Sequence, residues 1–163
     1  MKNKTILIIS WVCVALTMLM IFCFSAEDAE KSTQTSSSVV ENVLDIVLPK
    51  EEITPEVVKK YQFPFRKAAH FGIYMLLGFC LVNAFEITLN KKWYISYPAS
   101  VVVSFLYALS DEWHQSFTAG RGPSIKDTFI DLSGAFLGAL IYLGFISLYT
   151  YLNKKMKNKR PIK

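Results

Sequence analysis

Four long apolar runs, each about as long as a lipid bilayer is thick, constrain this chain more than any other feature. A hydrocarbon core about 30 Å thick takes roughly 20 apolar residues in a helix. Residues 6–24 meet that length with nothing more polar than Ser10 and Thr17. Residues 68–89 form the second run between Arg66-Lys67 and Lys91-Lys92, and residues 93–110 the third, opened by the interfacial pair Trp93-Tyr94. The fourth is uncharged from Leu132 to Leu152, and its span is expected over about 128–152. Its helix should start earlier, because Ser124-x-x-Asp127 just after Gly122-Pro123 resembles a capping box. Within it, Gly134-x-x-x-Gly138 with Ala135 and Ala139 makes a small-residue surface for close helix packing.

The expected fold is therefore all-α: an integral membrane four-helix bundle over residues 1–153, followed by a basic cytoplasmic tail at 154–163. A content of 52% hydrophobic residues and a mean hydropathy of +0.31 agree, since so much apolar surface exceeds what a soluble chain of 163 residues hides. Lys2 and Lys4 before the first run also resemble a signal peptide. The run outlasts the roughly 7–15 residues of a signal core, which predicts a retained anchor. The net charge of +5 lies mostly in the tail and has no interleaved aromatics, a pattern that suits anionic membrane lipids and not nucleic acid. Cys13, Cys23 and Cys80 sit inside apolar runs, so no disulfide framework is expected.

Short flanks set the orientation. Lys2, Lys4, Lys91, Lys92, Lys154, Lys155, Lys157, Lys159, Arg160 and Lys163 share one side if there are four crossings, and the positive-inside rule makes that side cytoplasmic. A multi-pass cell-membrane protein with both termini in the cytoplasm follows, with segments 25–67 and 111–126 outside. In the first external loop, Val39, Val40, Val43, Leu44, Val47 and Leu48 recur at helical spacing up to Pro49, and Thr54-Pro55-Glu56 reads as a second helix start. These predict short amphipathic helices on the outer leaflet. A Ser-rich connector through 32–38 is the alternative for the first part.

The inner flanks are almost purely basic, whereas the outer ends mix acids, bases and histidines, which topology alone does not require. Arg66, Lys67 and His70 enter the second helix; Asp111, Glu112, His114 and Gln115 leave the third; Arg121, Asp127 and Asp131 precede or open the fourth. If those ends are neighbours, they form one polar crater. Asp111 shares a helical face with His114 and Gln115, so carboxylate and imidazole can form a general-base pair, bind a cation with Asp127 and Asp131, or simply make an ion-pair network. One histidine falls short of a closed zinc site, and the metal stays undetermined. Arg121, between Gly120 and Gly122, either presents its planar guanidinium to a phosphate or bridges to Asp127 or Asp111. No nucleotide loop or serine-nucleophile motif is present, and no organic cofactor is expected.

Several of these motifs together carry a resemblance. Arg66-Lys67-x-x-His70-Phe71-x-x-Tyr74-x-x-x-Gly78, Tyr107-Ala-x-x-Asp111-Glu112-x-His114-Gln115-x-Phe117-x-x-Gly120-Arg121 and Asp127-x-x-x-Asp131-x-x-Gly134 resemble the VanZ-like family of membrane proteins. The similarity runs from about Ile6 to Leu152. Ala119 departs from the proline that often precedes Gly-Arg in the family, which loosens the turn without removing a functional group. The resemblance implies a bacterial envelope protein, and the family's namesake is associated with resistance to teicoplanin. On this reading His70, Asp111, Glu112 and His114 are the catalytic candidates. Arg66, Lys67, Gln115, Arg121, Asp127 and Asp131 are the candidates for binding an anionic envelope lipid or cell-wall precursor. A non-catalytic protein that alters antibiotic access or partners cell-wall machinery is the alternative.

Overall fold

The computed structural model describes residues 4–27, 29–47, 49, 52–90, 92–119 and 122–158, which contain five helices and no strand. They are α1 (Lys4–Ser25), α2 (Ala29–Val47), α3 (Pro55–Thr88), α4 (Trp93–Gln115) and α5 (Ile125–Asn158). Helices α1, α3 and α5 are each long and apolar enough to cross a membrane. In α1 the buried stripe is Ser10, Val14, Thr17, Ile21 and Ser25, while Ile8, Leu16, Leu19 and Phe24 face outward. That inversion, with small and polar groups inside and large apolar ones outside, fits a helix surrounded by lipid and not water. This is a membrane protein.

Contacts along the helices fix their directions. Trp11 on α1 donates to Thr88 at the far end of α3, and Asn83 donates to Ser10, so those two helices are antiparallel. Tyr107 on α4 donates to the Met18 carbonyl and Gln115 donates to Ser25, so α4 runs parallel to α1. Helices α3 and α5 are parallel and nearly touch. A Cβ built on Gly134 would lie 2.3 Å from the Phe71 carbonyl oxygen, and one on Gly138 would lie 1.8 Å from that of Met75. A Cβ built on Gly78 would likewise lie 2.0 Å from the Ala135 carbonyl oxygen. The glycines expected to allow close packing do so against α3.

Helix α4 differs from the expected third span in composition and in length. It is not among the three helices apolar enough to cross on hydropathy. The reason is visible in its inward face, where Ser96, Ser100, Ser104, Ala108, Asp111 and Gln115 are buried at four- and three-residue steps. Its outward residues, Val102, Phe105, Leu106 and Leu109, remain apolar. The helix also continues through Gln115, so the acidic motif lies in its last turns.

The first loop also departs from expectation. In place of two short helices there is one of 19 residues, α2, and the segment starting at Pro55 runs without a break into the second span. Thr54 caps it by accepting from the Val57 N–H, and Pro55 occupies the first turn as expected. Arg66 and Lys67 do not end a helix, and Pro64 is accommodated inside it. The serines of the supposed connector are helical, and Ser36, Ser37 and Ser38 turn their hydroxyls back onto carbonyls one turn earlier, which occupies groups that would otherwise compete for the backbone. Val40 and Leu44 of α2 pack on Val58 of α3. Gln62 ties the pair by donating to the Thr33 carbonyl and to Ser37.

Candidate functional site

Directions of α1, α3, α4 and α5 gather Ser25, the Arg66–Tyr74 segment, Asp111–Gln115 and Ser124–Asp131 at one end of the helices. The opposite end carries Lys4, Lys92, Lys154, Lys155 and Lys157. At the mixed end, two rungs join the parallel helices. Lys67 of α3 pairs with Asp127 of α5, and His70 Nδ1 lies 3.8 Å from Asp131 Oδ1. Spacing produces the ladder, because three residues on α3 and four on α5 each advance about one turn.

Helix α4 supplies the third wall. Asp111 is 4% exposed and accepts at 3.1 Å from Gln115, which also donates to the buried hydroxyl of Ser25. Glu112 crosses to α5 and accepts from the Ser124 N–H at 2.7 Å, so a carboxylate from a neighbouring helix satisfies an amide at the N-terminus of α5. Burial pushes both carboxyls above the usual carboxylate range. Hydrogen bonds from Ser25 and Gln115 oppose this at Asp111, and the Ser124 amide opposes it at Glu112.

His70, Asp111 and Asp131 each offer a ligand atom within 4.8 Å of the other two. The imidazole that joins both Asp111 and Asp131 thus comes from α3. His114, its neighbour on the same helix, stacks on Phe22 of α1 with ring centroids 4.6 Å apart. Its Nε2 is buried with no hydrogen-bond partner among the described residues. Asp127, a candidate ligand on sequence, is committed to Lys67. Arg121 lies outside the described residues. The His70–Asp131 relation was missed on sequence because it joins positions 61 residues apart, although the matched spacings of Lys67-x-x-His70 and Asp127-x-x-x-Asp131 signalled it.

Beside the cluster, a cavity of about 260 Å³ opens between α1, α2 and α3. Its walls are largely apolar, with Ile21, Phe24, Val39, Phe65 and Ile73, and Arg66, His70 and Glu27 supply charged or titratable groups. Chemically, the site combines an imidazole beside a buried carboxylate, which suits proton transfer, with an apolar pocket that carries a guanidinium.

The sequence model of the VanZ/LLP1 family matches residues 10–148, a stretch that holds every side chain of this site. The chain belongs to the VanZ/LLP1 family. The resemblance carried by the motifs around His70, Asp111 and Asp131 therefore extends over both long helices and the cavity wall. No curated protein and no solved structure matches this VanZ/LLP1 chain.

Proposed function

We propose that this VanZ/LLP1 protein crosses the cell membrane four times, with both termini in the cytoplasm, and that its mixed polar end binds an anionic envelope lipid or cell-wall precursor from the outer leaflet. The observation that carries the binding reading is the cavity between α1, α2 and α3, where an apolar trough meets Arg66 beside the buried polar cluster. An alkyl or polyprenyl chain suits the trough, and a phosphate suits the guanidinium fork. Lys67 is less suited to hold phosphate, because it already pairs with Asp127.

Support for a fourth crossing comes from α4 itself. Trp93 and Tyr94 are exposed at one end, Trp113 and Phe117 at the other. Twenty residues of helix between the two tryptophans rise about 30 Å, the thickness of a hydrocarbon core. Aromatic residues at both ends suit the two interfaces, and the serine stripe is buried against protein, with Ser96 and Ser100 donating to carbonyls one turn earlier in the chain. In intact cells an impermeant thiol reagent should label Ala119→Cys and spare Lys157→Cys until permeabilisation, in a background whose native cysteines are replaced. Labelling of position 119 only from the inside would reverse the orientation.

For the lipid, native mass spectrometry of protein extracted with its bound lipids should find a phospholipid or polyprenyl phosphate. Arg66→Ala should reduce its occupancy about ten-fold, the usual loss when a hydrogen bond to a charged group is removed. Ile73→Trp should reduce it by filling the trough. Equal lipid in wild type and both variants would rule out this cavity. The link to teicoplanin extends the same reading, since a protein holding a cell-wall precursor changes what a lipoglycopeptide meets at the surface. A non-catalytic role is favoured by one observation: Lys67, Asp127, Glu112 and Gln115 all have partners within the protein, as in a supporting network.

A further inference from the structure

Where α3, α4 and α5 meet, two carboxylates and an imidazole converge. We propose that His70, Asp111 and Asp131 bind one divalent transition-metal ion. Zinc and its neighbours hold nitrogen and oxygen ligands at about 2.0–2.2 Å, which places adjacent ligand atoms roughly 3 Å apart. The three candidate atoms lie within 4.8 Å of one another, and the His70–Asp131 pair is already at 3.8 Å. Rotations of the side chains by under about an ångström each bring all three into such a shell.

A second observation points to a ligand at the same place. Tyr74 is fully buried one turn after His70, and its hydroxyl lies toward the Asp111 carboxylate without a well-formed hydrogen bond to any described residue. The carboxylates acting on that hydroxyl are those of Asp111 and Asp131, so it is directed into the cluster. A phenol so placed suits a fourth ligand position or a hydrogen bond to a metal-bound water. Gln115 completes the arrangement by holding Asp111 through Oδ2. Outer partners of this kind orient ligands in metal sites.

Charge favours the same conclusion. Asp111 and Asp131 are 4% and 2% exposed, and among the described residues neither pairs with a lysine or arginine. Buried carboxylates need neutralising, and a dication does so for both. One imidazole with two carboxylates suits zinc or manganese better than calcium, which takes six to eight oxygen ligands. The site touches the lipid cavity only through His70 and does not depend on that reading.

The test uses the full-length protein in nanodiscs, stripped with a chelator, reloaded with Zn²⁺ or Mn²⁺, desalted, and assayed for metal content and thermal midpoint. Wild type should retain about one ion per chain and gain a higher midpoint, as expected of any ligand that binds the folded state. Asp131→Asn and His70→Gln should lose the ion, Gln115→Ala should bind it about ten-fold or more weakly, and Asp45→Asn on the distant α2 should bind as wild type does. Metal in wild type below about a tenth of an ion, with neither ion moving the midpoint, would overturn the proposal. Undiminished binding by Asp131→Asn would do so as well. Should that variant fail to fold, Gln115→Ala, which keeps all three ligands, decides, because wild-type affinity there places the ion elsewhere. Copurified lipid measured on the same samples keeps the two readings apart: metal lost with lipid retained supports this one alone.

Discussion

Gly138→Leu should separate α3 from α5 and leave little folded protein, whereas Gly144→Leu six residues later should be tolerated. A Cβ at position 138 would lie 1.8 Å from the Met75 carbonyl oxygen, while one at 144 meets nothing within 4 Å. The obstacle is backbone, so no rotamer change relieves it, and the helices must move apart along a seam that Gly78 and Gly134 also keep tight. Even Gly138→Ala should cost about 3 kcal/mol, at the upper end for overpacking. For a chain of this size that lowers the melting midpoint by roughly 6–12 °C. Gly144→Ala should leave stability unchanged or raise it by up to about 1 kcal/mol, since alanine is the better helix former. Thermal unfolding of both alanine variants in the same detergent tests the seam. Equal midpoints would mean that α3 and α5 do not approach as described.

Lys67→Glu should be the most damaging single change among the charged residues. Lys67 pairs with Asp127 in a setting where the two side chains are 18% and 23% exposed, so water screens them incompletely. Its charge also acts on Glu112 and Asp131. Reversal places a fifth carboxylate beside Asp111, Glu112, Asp127 and Asp131. Removing one partner of a buried pair costs about 3–5 kcal/mol, and the repulsion adds to it. Lys67→Glu should thus fall below detectable folded abundance, with Lys67→Met milder. Exchanging the charges in Lys67→Glu/Asp127→Lys should restore much of the loss, measured as folded abundance and melting midpoint against each single variant. A Lys67→Glu protein as stable as wild type would show that Lys67 does not offset the carboxylates.

Much of this was legible in the sequence because it is local. Run length marked the apolar helices, Thr54-Pro55 and Ser124 marked two helix starts, and small residues in α5 marked the packing seam. What escaped depends on neighbours distant in the chain. Helix α4 was expected from its uncharged length, yet its serine stripe lowers its hydropathy, and only the burial of that face in the folded chain accounts for it. Asp111 was matched to His114 by spacing along one helix, and that imidazole does act on it, but the one that shares its cluster with Asp131 belongs to α3, and His114 stacks on Phe22. The continuous α3 escaped because Pro64 and the charges near it resemble a boundary.

The glycine seam also divides the molecule mechanically. Where two backbones touch without intervening side chains, no flexible layer absorbs relative displacement, so α3 and α5 behave as one stiff beam that bears both rungs of the ladder. Helix α2 is fastened to that beam by a few aliphatic contacts and one glutamine, and α1 by side chains of ordinary length. Compliance is therefore greatest at α2, whose wall of the cavity can shift while His70 and Asp131, both carried by the beam, keep their spacing.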